Sequence, residues 1–270
     1  MPFHDASDAA IFYEIHGDSL PLVLLHGYAL NSVMWEFQVP VLSAHFKIIT
    51  VDLRGFGRSS CGKEWSGSAM AEDIIGIIKE LNLKDVTILG FSLSGGSAIR
   101  AALEMPDIVS RLILVSSILP SRGRPRSKKE AEFQSREQDI LKSRGVEAWA
   151  EAIGLRKGKA VDNIFKRNPD ARSVWDRIIA RHNPSFLLQM MAARQNTQSP
   201  VDWRSRLKEI RQETLLIFGA QDKQFLDGAR HLASAIPDTK LIIISGAGHM
   251  VNLEKPEEFS REIRDFIKSE

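Results

Sequence analysis

The sequence predicts an α/β protein with a mostly parallel central sheet, helices on both faces and an inserted helical segment. Three observations carry this expectation. Short apolar runs alternate with helix-patterned segments near both ends of the chain. The runs are almost continuously apolar, as strands buried on both faces must be. Between residues 118 and 212 the alternation lapses, leaving only charged, Trp-punctuated helical stretches such as "GVEAWAEAIG" and "FLLQMMAARQ".

In chain order, "AIFYEIH" and "LPLVLLHG" read as strands, followed by "FKIITVD" at 46–52. A helix is expected at "SAMAEDIIGIIKELNL", where Ser68 is the candidate N-cap and Ile74, Ile77, Ile78 and Leu81 share a face. "VTILG" (86–90) is a strand, "SGGSAIRAALEM" a helix closed by Pro106, and "RLILVSS" (111–117) the next strand. After the insertion come the strand "TLLIFG" (214–219), the helix "FLDGARHLASAI", the strand "KLIIIS" (240–245) and a helix starting at Pro256, where proline suits a first turn. The expected organisation is a core of residues 1–117 and 213–270, with 118–212 inserted between two strands.

At 270 residues, with 43% hydrophobic and 26% charged residues, the chain can bury one large core. No apolar run reaches the 18 or so residues that span a bilayer, and "MPFHDASDAAIFYE" lacks the basic-then-apolar order of a signal peptide. The single Cys61 cannot form an internal disulfide. A cytoplasmic protein, with neither membrane nor nucleic acid as partner, is expected. The net charge of +2 hides a basic middle: residues 117–212 hold 21 Lys+Arg against 11 Asp+Glu. That excess reads as a solvated helical face, and "RGRPRSKK" (122–129) as an exposed loop.

The chemistry concentrates in "ILGFSLSGG" (88–96). A sharp strand-to-helix turn exposes the residue at its tip and needs small residues two positions away on either side. Centring on Ser92 puts Gly90 and Ser94 there, directly after the strand. Centring on Ser94 moves the tip into the helix. Ser92 is therefore the candidate nucleophile, and Ser94 stands where the G-x-S-x-G pattern has glycine. A serine needs a base, and the base an orienting acid. Asp222 follows the strand of "TLLIFGAQD", and His249 follows the last strand in "SGAGHMVNLEKPEEF". Both fall at the sheet edge where ligands of parallel sheets collect. The backbone N–H groups of Tyr28, after "LLHG", and of Leu93 are the candidate oxyanion donors.

His26 reads as a structural hydrogen-bonding residue beside that loop, and Asp52 and Arg54 as loop pins. His4, His16, His45, His182 and His231 lack partners at metal-ligand spacing, so no metal site is expected. "GFGRSS" lacks the third glycine of a dinucleotide fingerprint and no P-loop is present, so no cofactor is expected either. Tyr28, Trp35, Met190 and Met191 are candidates for lining a substrate pocket.

With "HGY" after a strand, "DLRGFGRSS" at 52–60, the "GFSLSGG" turn, "GAQD" and "GAGHMVNLEKPEEF" in this order, the sequence resembles the α/β-hydrolase superfamily over nearly its whole length. The resemblance implies that 118–212 is a helical cap over the active site. It also implies kinship with compact carboxylesterases, cofactor-free haloperoxidase-type enzymes and enol-lactonases. The expected function is a serine hydrolase of small-molecule carboxylic esters or lactones, working through an acyl-enzyme. Two alternatives stay open: a carbon–carbon bond hydrolase, and a slow-turnover ligand receptor of the strigolactone and karrikin type.

Overall fold

A computed structural model describes residues 2–117, 128–194 and 203–268. The basic run 122–129 lies outside them, except for Lys128 and Lys129, which open a helix. In chain order the sheet is built from β1 (Phe3–Asp5), β2 (Ala10–His16), β3 (Leu20–Leu25), β4 (Phe46–Val51), β5 (Val86–Phe91), β6 (Val109–Val115), β7 (Glu213–Gly219) and β8 (Thr239–Ile244). The order across the sheet is β1-β2-β4-β3-β5-β6-β7-β8. β1 pairs antiparallel with β2, and β2 with β4. All later neighbours are parallel.

The expected strands are present and the fold is the expected α/β class. β1 is an addition: its three residues, "FHD", carry no periodicity that could have announced it. β3 and β5 explain the apolar runs, because Pro21–Leu25 and all of β5 are buried beneath helices.

The first helices are α1 (Val39–Leu42), α2 (Gly67–Glu80) and α3 (Gly95–Glu104). The N-cap of α2 is Ser66, whose hydroxyl accepts from the Ala69 N–H, and Ser68 lies inside the helix. The cap falls there because Ser66 still has extended backbone (φ −142°) when the chain turns into the helix. α3 packs on β5 and β6.

Between β6 and β7 the described residues form α4 (Lys128–Ala152, broken at Gly145), α5 (Lys159–Arg167), α6 (Ala171–Ala180), α7 (Pro184–Arg194) and α8 (Trp203–Arg206). α4 packs against α6 and α7, and α6 against a 3-10 turn at Ser32–Trp35, in the segment after β3. After β7 follow α9 (Lys223–Ala235), α10 (Val251–Glu254) and α11 (Pro256–Lys268). Among the described residues no helix is long and apolar enough to cross a membrane.

The chain leaves β3 toward β4 on one side and returns as β5 on the other. Neighbouring strands β3 and β5 thus send their following loops apart, which opens a crevice at their carboxyl ends. Tyr28 and Ser92 stand at that crevice.

Candidate active site

β5 ends at Phe91, and a 3-10 turn, Ser92–Ser94, leads into α3. Ser92 sits at φ +52°, a left-handed conformation unfavourable for a residue with a Cβ. Close packing imposes it. A Cβ on Gly90 would lie 2.9 Å from both Ala98 Cβ and Gly95 Cα, and one on Gly95 would lie 2.5 Å from Ser117 Oγ. There is therefore no room for a side chain at Gly90 or Gly95.

Ser94 has a different job from Ser92. It is buried, its Oγ accepts from the Phe91 N–H (2.9 Å), and its hydroxyl faces the carbonyls of Leu25 (3.0 Å) and Phe91 (3.1 Å). It ties the turn to itself and to β3. Ser97 donates to the Gly67 carbonyl at 3.1 Å and takes no part in the site.

The structure brings Ser92, His249 and Asp222 together. His249 Nε2 is 3.1 Å from Ser92 Oγ, and His249 Nδ1 is 2.6 Å from Asp222 Oδ2. A carboxylate can only accept, so Nδ1 carries the proton and Nε2 is left to accept from the serine hydroxyl. The Asp222 side chain is 4% exposed and that of His249 33%, so the carboxylate is shielded from solvent while the imidazole is open to it. The imidazole packs between Phe91 (ring centroids 5.3 Å apart) and Phe225 (4.5 Å). The Ser116 hydroxyl donates to the His249 carbonyl at 3.0 Å.

The loop carrying Tyr28 runs against Ser92. A Cβ on Gly27 would lie 3.3 Å from Ser92 Cβ and 2.9 Å from the Phe91 ring. Only glycine lets that backbone come so close. Leu93 stands at the start of the helical turn that follows Ser92, where backbone N–H groups lack intrahelical partners.

Two buried histidines brace this region. His26 Nδ1 donates to the Gly27 carbonyl (2.7 Å) while Nε2 accepts from the Leu53 N–H (2.8 Å). His182, on the inserted segment, accepts the Gly57 N–H at Nδ1 and donates from Nε2 to the Ala29 carbonyl, both at 3.1 Å. Each ring is satisfied only when neutral, and burial pushes both pKa values down to about 4. Asp52, fully buried, accepts from the N–H groups of Ser32 (2.7 Å) and Arg58 (2.9 Å). Arg54 forms a fork onto Asp73, at 2.6 and 2.7 Å. Both residues pin the 52–60 loop that His26 and His182 also hold.

A cavity of about 580 Å³ lies beside Tyr28, bounded by Phe133, Glu137, Ile153, Leu155 and Arg194 from the inserted helices. Of the four residues expected at a substrate pocket, only Tyr28 lines it. Trp35 is fully buried, stacked on Phe259 and edge-on to Phe91. Met190 and Met191 are also buried, and Met190 packs against Gly55, where a Cβ would lie 2.9 Å from its Cγ. These three belong to the core. α7 is apolar on several sides, so its sequence does not reveal which side faces a cavity. Burial pushes the Cys61 thiol up to about 12, which leaves it unreactive as a thiolate source. Among the described residues, no cluster of three or more His, Cys, Asp or Glu could hold a metal ion.

Arg167 and Glu254, which the structure pairs beside His249, were not singled out from the sequence. Glu254 lies within the quoted "GAGHMVNLEKPEEF", and its distance from His249 was the available signal. Arg167 carried none.

Residues 22–262 match the model of the alpha/beta hydrolase family. The chain is 28% identical to an AB hydrolase superfamily protein of Bacillus subtilis, covering 96% of each chain. It is 26% identical to the pimeloyl-[acyl-carrier protein] methyl ester esterase of Photobacterium profundum, over 96% of this chain and 99% of that one. Among solved structures, a thermophilic esterase from Thermogutta terrifontis superposes with a TM-score of 0.78 at 26% identity, covering 96% of this chain and 93% of that one.

Proposed function

The chain belongs to the alpha/beta hydrolase family, and from that premise we propose that it is a serine hydrolase of small-molecule carboxylic esters or lactones. The observation that carries the reading is the continuous hydrogen-bonded relay from Asp222 through His249 to Ser92. Two similar proteins named as esterases support the substrate class.

In the proposed mechanism, His249 Nε2 takes the Ser92 proton as Oγ attacks the substrate carbonyl carbon. Asp222 holds the ring in the tautomer that can accept, and stabilises the imidazolium that forms. Negative charge gathers on the carbonyl oxygen, within reach of the backbone N–H groups of Tyr28 and Leu93, which cost nothing to reorganise. The tetrahedral intermediate collapses, His249 protonates the departing alcohol, and an acyl group remains on Ser92. The same imidazole then deprotonates water, which attacks the acyl carbon and releases the acid. The inserted helices form the wall of the cavity beside Tyr28 and act as the cap that sets the substrate's shape.

The test is turnover of short-chain activated esters with no added metal or cofactor. Many turnovers per chain, abolished in Ser92→Ala, are expected. A single burst followed by a persistent adduct on Ser92 or His249 would replace this reading with that of a ligand receptor.

A further inference from the structure

We propose that Glu254 and Arg167 are positioning residues for His249, so that an ion pair contributed partly by the inserted helices sets the reach of the base; this rests on the reading of His249 as that base. The Glu254 side chain is 2% exposed. Its Oε2 accepts the Gly248 N–H at 2.8 Å and its Oε1 accepts the Met250 N–H at 3.1 Å. These are the N–H groups of the residues on either side of His249. One carboxylate therefore grips the backbone on both sides of the imidazole-bearing residue. An ionised carboxylate presents an acceptor to each N–H, whereas a carboxamide must turn its NH₂ toward one of them.

A buried carboxylate needs a counter-charge. Arg167, the last residue of α5, supplies it through Nη1 to Glu254 Oε2, while Nη2 donates to Gln221 Oε1 at 2.8 Å. Gln221 directly precedes Asp222. The guanidinium thus spans the loop that carries the acid and the loop that carries the base. Gly248 makes the arrangement possible: a Cβ there would lie 3.0 Å from Arg167 Nη1 and 3.1 Å from Glu254 Oε1. Asp222, His249, Arg167 and Glu254 all border one open groove of about 660 Å³. His249 Nδ1 is held 2.6 Å from Asp222 while Nε2 is already 3.1 Å from Ser92 Oγ. A small displacement of the His249 backbone therefore lengthens the bond to Ser92 further, and misplacement approaching an ångström costs rate steeply.

A second tie provides the control. Asn168, next to Arg167, donates to the Leu253 carbonyl at 2.7 Å without touching the Glu254 carboxylate. If the ion pair only fastened the inserted segment to the core, losing either tie would have the same effect.

The experiment measures kcat, KM, the rate of Ser92 labelling by a fluorophosphonate, and the thermal midpoint for Glu254→Gln, Arg167→Met, Arg167→Lys and Asn168→Ala. Glu254→Gln and Arg167→Met are expected to lower kcat by about tenfold or more, with labelling slowed in parallel and KM within about twofold. Arg167→Lys keeps the charge but not the two-sided reach, and should recover part of the loss. Asn168→Ala should keep kcat within about twofold of the parent. Folded Glu254→Gln and Arg167→Met proteins with parental kcat would overturn the proposal, as would an equal loss in Asn168→Ala. Should the charge-removing variants not fold, Arg167→Lys decides, and parental kcat there overturns it. Ser92→Ala and His249→Ala separate the two levels: turnover surviving in those variants counts against the hydrolase mechanism itself.

Discussion

His182 donates a hydrogen bond to the carbonyl of Ala29, joining the inserted helices to the loop that passes Ser92. Its other ring nitrogen accepts the Gly57 N–H, so both bonds are made together only while the imidazole is neutral. His26 has the same requirement between Gly27 and Leu53.

This gives a pH signature for folding. Both histidines have folded pKa values of about 4 against 6.5 for the free side chain. Below pH 6.5 the unfolded chain binds protons that the folded chain refuses. Their contribution is complete above pH 6.5, is lost as the pH falls toward 4, and is gone below it. The loss is on the order of 3 kcal/mol per histidine. Urea unfolding at pH 7.5, 6.0 and 5.0 should show a steady decline, above the range where most carboxylates titrate. Equal stabilities across that series would contradict neutral, buried rings.

Covalent labelling should identify Ser92 alone. A fluorophosphonate adduct located by mass spectrometry on Ser94 or Ser97 would reverse the assignment. Ser94→Ala is expected to keep the adduct on Ser92, since alanine is small enough for the turn. It should nevertheless lower stability by about 1–3 kcal/mol, because the Phe91 N–H loses its acceptor in a buried site.

Asp222→Asn should reduce kcat by about three to four orders of magnitude with the fold intact. A carboxamide can present its NH₂ to Nδ1 and favour the tautomer that blocks Nε2. Circular dichroism and steady-state kinetics on the same sample check both halves. A near-parental rate would move the orienting role to another residue.

Cavity and core positions should behave differently. Phe133→Ala or Leu155→Ala, on the cavity wall, should shift the preferred acyl length, with neighbouring lengths separated by only ~1–3 kcal/mol. Met190→Ala should instead cost about 2–5 kcal/mol of stability and leave the acyl profile near the parent's. A profile altered by Met190→Ala alone would put that side chain in contact with substrate.

Much of this architecture was legible because the central strands are buried on both faces. "LPLVLL" and "VTILG" have no polar side to hide, so composition alone marks them. That Ser92, Asp222 and His249 meet could be expected because each follows a strand of the parallel sheet, and parallel pairing brings those strand ends to one edge. What stayed hidden depends on contacts between distant segments. The cap of α2 falls at Ser66, still in extended backbone, rather than at Ser68. Trp35 and Met190 are apolar residues whose choice between core and cavity depends on helix rotation. Arg167 meets Glu254 across 87 positions of sequence, and no local pattern joins them.

Ser92 also places heat resistance and chemistry in opposition. Its left-handed backbone costs roughly 1–2 kcal/mol that glycine would not incur. A chain with glycine at 92 should outlast its parent on heating while lacking the hydroxyl that the proposed mechanism requires. Lineages or libraries screened only for survival at high temperature would therefore drift toward glycine at this position. The first property discarded would be turnover, and every other contact in the fold would remain in place.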